Sequence, residues 1–166
     1  MKNRNGVVYE RITVLAVHIL NASELPFEKD GRILLERYQR FLFDCSEIMC
    51  RQKESRDVLV SHNRISCIYA GYSTETLRKV AETATQIEKL AEKMNLKNQK
   101  DCIEKIVMGI GIAAGVAMMV SINANNVWMG PVVERAQFLS QAAIDYGGRK
   151  IFAERGIYDQ VYELLK

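Results

Sequence analysis

The side-chain types and positions of His18 and Arg64 suit the binding of a metal ion and of an anion, respectively. His18 lies near the end of an apolar, β-branched run over residues 11–19, which is typical of a central strand. Arg64 ends the polar turn 61–64 of a predicted hairpin. A guanidinium binds phosphate oxygens through charged hydrogen bonds, and backbone N–H groups of the loop after the first strand would add donors. The candidate ligand-binding residues are therefore Asn21, Ala22, Ser23 and Arg64.

Other residues with reactive side chains fall into less specific patterns. His18 is either a pH-sensitive or metal-binding group or a strand-end histidine bonded by its neighbours, and His62 in the turn is predicted to be solvated. Ser23 has no histidine–aspartate arrangement to activate it as a nucleophile. The cysteines form no CxxC pair and have no histidine at ligand spacing, which predicts reduced thiols in a cytoplasmic protein and no metal site. They are Cys45, Cys50, Cys67 and Cys102.

Helices and strands alternate along the chain in the order β, α, β-hairpin, α, β-hairpin, α, β, α. Apolar periodicity predicts strands over 11–19, 57–61, 65–70 and 150–153, and an apolar hairpin over 106–127. Helices are predicted over 31–53, 74–94, 131–146 and 157–165, with a polar loop over 95–101. This succession predicts an α+β fold of the split βαβ, ferredoxin-like kind, in which helices pack on a mostly antiparallel sheet.

Length and composition indicate one domain over residues 1–166 with its core at about 8–165. The net charge of +3 comes from scattered residues, which predicts neither nucleic acid nor a membrane as partner, and the polar N-terminus has no signal peptide pattern. The uncharged stretch 106–133 is punctuated by glycine and asparagine, which favours two buried strands over a membrane helix. The glycines at 109, 111 and 115 indicate close backbone packing, and Trp128 fits either a core or an interface.

Four segments carry a family resemblance through their order and spacing. They are TVLAVHI at 13–19, NRISCIYAG at 63–71, MGIGIAAG at 108–115 and VWMGPVVERAQFL at 127–139. Together they resemble the catalytic domain of class III adenylyl and guanylyl cyclases. The resemblance implies a reaction in which the ribose 3′-oxygen attacks the α-phosphate and pyrophosphate leaves, assisted by two divalent ions.

This chain departs from the family at the positions that hold the metal ions. The family holds them with two aspartates, and the matching residues here are His18 and Arg64. Hard divalent cations need carboxylate oxygens, and a guanidinium repels the ion that should bind beside it. Losing one such ligand alone is expected to cost several kcal/mol of transition-state stabilisation.

The remaining family positions have changed as well. Glu134 stands where the resemblance implies an asparagine for the ribose, and Phe138 where it implies an arginine for the transition state. The base-selecting lysine and aspartate of adenylyl cyclases match Val60 and Val127, which are both apolar. In the family each active site forms between two subunits, one giving the metal aspartates and the other the asparagine and arginine. A chain that lacks both sets completes neither site of a mixed dimer.

The resemblance therefore predicts a catalytically inactive, cyclase-like domain without metal or other cofactor. Its expected role is that of a cytoplasmic dimerisation, regulatory or scaffold module, paired with a second copy or another protein. The alternative is a nucleotide or anion sensor that uses the old cleft without metal, centred on Arg64. A third hypothesis is an enzyme with rearranged chemistry at His18, Glu134 or His62.

Overall fold

The computed structural model describes residues 7–20, 29–61, 63–123, 125–146 and 150–165, which form the predicted succession of elements. The strands are β1 (Val7–Ile19), β2 (Ser55–Ser61), β3 (Arg64–Ala70), β4 (Met108–Ile122), β5 (Asn125–Met129) and β6 (Ile151–Ala153). The helices are α1 (Lys29–Cys50), α2 (Thr74–Lys100), α3 (Pro131–Asp145) and α4 (Tyr158–Leu164). The order of elements confirms the sequence-based prediction.

The strands form one sheet in the order β2-β3-β1-β4-β5. β4 pairs with β1 along one edge, and its other edge is divided between β5 at residues 118–122 and β6 at residues 110–112. Only β6 runs parallel to its neighbour among the described strands. The sheet is therefore mostly antiparallel and carries helices, which confirms the predicted fold class.

Alternating side chains of the central strand β1 divide the core between the two faces of the sheet. Leu15, Val17 and Ile19 point to the face covered by α1, α2 and α4. Ile12, Val14 and Ala16 point to the other face, where α3 packs. We call this second side the α3 face. His18 continues the second set in register, so the strand period places its imidazole on the α3 face as well.

The small residues of β4 allow α3 to lie directly on the sheet. A Cβ atom added to Gly111 would lie 2.5 Å from the backbone nitrogen of Ser140 and would overlap the carbonyl oxygen of Ala136. One added to Gly109 would overlap the carbonyl oxygen of Ser140 in the same way. The prediction of close backbone packing at these glycines is confirmed, because only hydrogen fits between the strand and the helix.

The predicted loop over 95–101 is wrong for all but its last residue, because α2 continues to Lys100 and Asp101 caps it. Asparagine is common in loops, yet Asn95 and Asn98 lie within this helix and bind the segment that follows it. The Asn95 side chain donates to the carbonyl of Ile106 at 2.9 Å and accepts from its N–H at 2.7 Å. The Asn98 amide donates to the carbonyl of Glu104 at 3.0 Å. These asparagines position the chain as it enters β4.

The uncharged stretch 106–133, for which a membrane helix was the alternative, contains β4, β5 and the first turn of α3. Within the described part of the chain, no helix is both long enough and apolar enough to span a lipid bilayer.

Candidate functional site

The structure brings together His18 and Arg64, which lie 46 positions apart in the sequence. β1 and β3 are antiparallel neighbours, and their register sets these two residues directly opposite each other. The Nε–H of Arg64 donates a hydrogen bond to Nδ1 of His18 at 3.1 Å. His18 is buried, with 5% of its surface exposed, whereas Arg64 is half-buried. The pair therefore lies at the edge of the α3 face, between core and solvent.

The Arg64 bond decides the protonation pattern of the imidazole. Because Nδ1 accepts a hydrogen bond, a neutral His18 carries its proton on Nε2. The side-chain amide nitrogen of Asn63 lies 3.1 Å from Nε2. Two donors cannot bond to each other, so the amide must turn its carbonyl oxygen toward the ring. Both ring nitrogens of His18 then take part in hydrogen bonds.

The surroundings of His18 favour the neutral imidazole. Burial and then the positive charge of Arg64 lower the pKa of His18, while the carboxylate of Asp145 at the end of α3 opposes them by raising it. The pair consequently carries one positive charge, which lies on the guanidinium.

This donor set does not fit the divalent ions that the family resemblance implies. The Nδ1 lone pair of His18 is bonded to a cation, and a guanidinium has no lone pair to offer a metal. The described residues contain no group of three or more His, Cys, Asp or Glu side chains placed to hold a metal ion. The described part of this site therefore offers no ligand set for a divalent ion.

The remaining donors of Arg64 are on its two terminal nitrogens. Its Nε is bonded to His18, and its two terminal nitrogens make no hydrogen bond within the described residues. The candidate partners Asn21, Ala22 and Ser23, and the turn residue His62, lie outside the described residues. What the structure places at this point is a positively charged donor group oriented by a buried imidazole.

The residues at the other family positions lie apart from this pair. Glu134 and Phe138 are one turn apart on the exposed side of α3, and Phe138 is 73% exposed. Val60 on β2 and Val127 on β5 are 60% and 36% exposed. The strand alternation directs both valines away from the α3 face. Of the site positions predicted from the resemblance, His18 and Arg64 thus form one close pair, and the other four lie on the surface away from it.

Sequence reasoning missed a polar contact on the α3 face. The indole Nε1–H of Trp128 donates to a carboxylate oxygen of Asp57 at 3.1 Å. Trp128 is 9% exposed and belongs to the core cluster of this face, so of the two expected positions it takes the core. No local pattern signals the contact, since its partners are 71 positions apart on β2 and β5.

Comparison with solved structures shows that the chain has the fold of class III nucleotidyl cyclase domains. The adenylyl cyclase CyaB from P. aeruginosa superposes with a TM-score of 0.77 and 14% identity, over 95% of this chain and 83% of that one. The non-canonical dimeric guanylyl cyclase domain of the RhoGC fusion protein from the aquatic fungus Blastocladiella emersonii gives a TM-score of 0.68 and 12% identity, over 97% of this chain and 86% of that one.

A third similar structure is a class III adenylyl cyclase-like ATP-binding protein from Pseudomonas aeruginosa. Its TM-score is 0.68 at 13% identity, and the match covers 96% of this chain and 35% of that one. No protein-family model matches the sequence, and no curated protein sequence matches it either. At these identities the likeness concerns the fold, which confirms the predicted resemblance at that level.

Proposed function

We propose that this chain is a cyclase-related domain that has lost catalysis and acts in the cytoplasm as a regulatory or scaffold module, as a homodimer or with a partner protein. The observation that carries the proposal is the hydrogen bond between Arg64 and His18. The family resemblance matches these two positions to the metal-binding carboxylates of a cyclase, and here they carry a positive charge and an imidazole whose Nδ1 is already hydrogen-bonded. Without metal ions, the ribose hydroxyl is not activated and the triphosphate is not neutralised.

Two further features support this reading. Glu134 would bring a negative charge toward a triphosphate, and Phe138 has no donor for a charged transition state. The guanylyl cyclase domain of RhoGC, whose fold this chain shares, has been solved as a non-canonical dimer and as a monomer, so association of this fold has a precedent.

The decisive experiment measures turnover and metal binding together. Purified protein is incubated with ATP or GTP and Mn²⁺, and cyclic products are measured while Mn²⁺ binding is followed by electron paramagnetic resonance. We expect no product and no bound Mn²⁺ at millimolar metal. The variant carrying both His18→Asp and Arg64→Asp should gain Mn²⁺ binding, whereas the matched neutral variant carrying His18→Asn and Arg64→Gln should not. Cyclic product from the unchanged protein would overturn the proposal.

The homodimer is tested separately by the mass of the native particle in solution. Sedimentation equilibrium at micromolar concentration should give twice the 18.9 kDa of the chain. A particle that stays monomeric over the whole concentration range would leave only the form of the proposal in which another protein is the partner.

A second candidate function is the binding of a nucleotide or another anion without metal. The terminal nitrogens of Arg64 favour it, because they make no hydrogen bond within the described residues and a half-buried guanidinium suits a phosphate. The similar Pseudomonas protein that is described as ATP-binding adds a precedent within this fold.

Thermal unfolding with ATP, GTP, cyclic nucleotides or inorganic phosphate tests this second function. A ligand present at 100 times its dissociation constant adds about 2.7 kcal/mol to the free energy of unfolding. Arg64→Ala should abolish the shift, and Arg64→Lys should keep part of it because the charge remains. The sensor hypothesis is wrong if millimolar nucleotide leaves the melting temperature of the unchanged protein where it was.

A further inference from the structure

Part of the sheet carries apolar side chains that the described helices leave uncovered. On the side of the sheet that bears α1, α2 and α4, the apolar cluster beneath the helices extends along β4 to Ile112. The strand alternation directs alternate residues beyond Ile112 to the same side, and the pairing register continues this row onto β1 and β5. We call six of these residues the β4–β5 patch, namely Tyr9, Val116, Met118, Val120, Val127 and Met129.

The area of the patch is in the range that an interface core needs. Four of its residues are exposed, with fractions from 36% to 61%, and the other two, Met118 and Val120, are half-buried. At roughly 150–200 Å² of surface for each whole residue, the patch presents about 400 Å². A stable dimer buries about 800 Å² on each partner, of which the centre is apolar and the rim is polar. The patch can therefore supply the centre, and its neighbours the rim.

The charge distribution of the patch favours a second copy of the chain as its partner. None of the six residues is charged, and five of them belong to the stretch 106–133, which has no charged residue. Arg11 lies at the border, opposite Val116, and its guanidinium is 5.7 Å from the centre of the Tyr72 ring. A surface that binds an acidic or a basic protein carries charges of the opposite sign. An uncharged patch instead meets its own copy without repulsion between like charges.

The outer edge of β5 favours the same partner. In the described sheet β5 pairs with β4 alone, so the backbone groups on its other edge have no strand beside them. Edge strands are commonly protected against pairing by a lysine, a proline or a bulge. β5 contains no lysine and no proline, and its register with β4 has no shift. Two identical edges that pair antiparallel are related by a two-fold axis, which is the commonest symmetry of homodimers.

We propose that the β4–β5 patch and the outer edge of β5 form a two-fold interface with a second copy of this chain. The inference rests on the homodimer proposed above and assigns the surface that forms it. The patch lies on the opposite side of the sheet from the pair of His18 and Arg64, which belongs to the α3 face. A failure of this interface would therefore leave the proposed loss of catalysis untouched.

Sedimentation equilibrium of charge variants tests the interface. Met129→Lys places a cation in the patch of each copy and should raise the dissociation constant of the dimer at least about a hundredfold, because like charges then approach each other across the axis. Tyr9→Lys is a second patch variant on another strand and should act in the same direction. Leu96→Lys is the matched control, since Leu96 is 63% exposed on α2 outside the patch. It should leave the dissociation constant within about threefold of the original value.

Oppositely charged variants then test the two-fold arrangement. Met129→Glu alone should dissociate the dimer as Met129→Lys does, and an equimolar mixture of the two should recover the mass of the dimer. Thermal unfolding followed by circular dichroism checks that each variant is folded. An unchanged protein that stays monomeric would overturn the homodimer and this interface together. A dimer that persists in both patch variants, equal dissociation by Leu96→Lys, or a mixture that stays monomeric would overturn the interface and leave the homodimer standing.

Discussion

Replacement of Gly111 by alanine tests how closely α3 lies on the sheet. The new methyl group would lie 2.5 Å from the Ser140 nitrogen and closer still to the Ala136 carbonyl oxygen, both of which are backbone atoms of the helix. Ordinary contact begins at 3.4 Å, so the helix would have to move outward by about 1 Å, from 2.5 to 3.4 Å, or more. A side chain could turn away from the methyl group, but backbone atoms cannot.

The expected loss can be set against known overpacking energies. Added methyl groups in close-packed cores typically cost about 1–3 kcal/mol. Because the obstructing atoms are backbone, we expect Gly111→Ala at the upper end, about 3 kcal/mol. For a chain of this size that lowers the melting temperature by about 6–12 °C. Urea unfolding followed by Trp128 fluorescence and by circular dichroism measures the change.

Gly115→Ala is the matched control on the same strand and the same face. Its added Cβ would meet the terminal nitrogen of Arg135 at 3.2 Å, which is the flexible end of a side chain, and the Cβ of Val132 at 3.4 Å. We expect a change within about 1 kcal/mol, since alanine also lowers the entropy of the unfolded chain. The described close packing of α3 on β4 would be refuted if both substitutions lowered the free energy of unfolding equally, or if Gly111→Ala left it unchanged.

Three other predictions concern pH, the α2 end and the thiols. The pKa of His18 is lowered in the folded state, so the unfolded chain binds more protons and stability is lost as the pH falls below about 6.5, by up to about 1.4 kcal/mol per unit. His18→Gln should remove this slope in urea unfolding between pH 5 and 7.5, whereas His62→Gln, at the only other histidine, should keep it. Asn95→Ala removes two bonds to the backbone before β4 and should cost about 2 kcal/mol in the same assay, with Asn95→Asp, which keeps the acceptor, losing less. A disulfide reagent should modify the exposed thiols of Cys50 and Cys102 in the native protein and the two buried ones only after unfolding; four fast thiols would contradict the described core.

The order of elements was predictable because each helix and strand repeats its apolar residues with its own period. The C-terminal boundary of α2 was not predictable, because asparagine is locally typical of loops. The side chains of Asn95 and Asn98 instead bind the next segment from within the helix. The bonds that keep them in a helix join residues up to 11 positions apart, beyond the range of local propensity.

The candidate site, too, was predictable from the sequence only in part. The types of His18 and Arg64 are enough to argue against a divalent ion, since ligand chemistry follows from the side chain alone. Their hydrogen bond required the register between β1 and β3, and burial together with the adjacent guanidinium lowers the pKa of His18. The positions of Glu134 and Phe138 on the exposed side of α3 follow from the packing of that helix on the glycines of β4.

The sequence by itself determined which chemistry the chain can offer and in what order its helices and strands follow, because residue type and periodicity are local properties. Only the tertiary structure decided that Asp57 meets Trp128 across the sheet. Strand order and curl set that distance, and they result from the packing of the whole core, which no single segment contains.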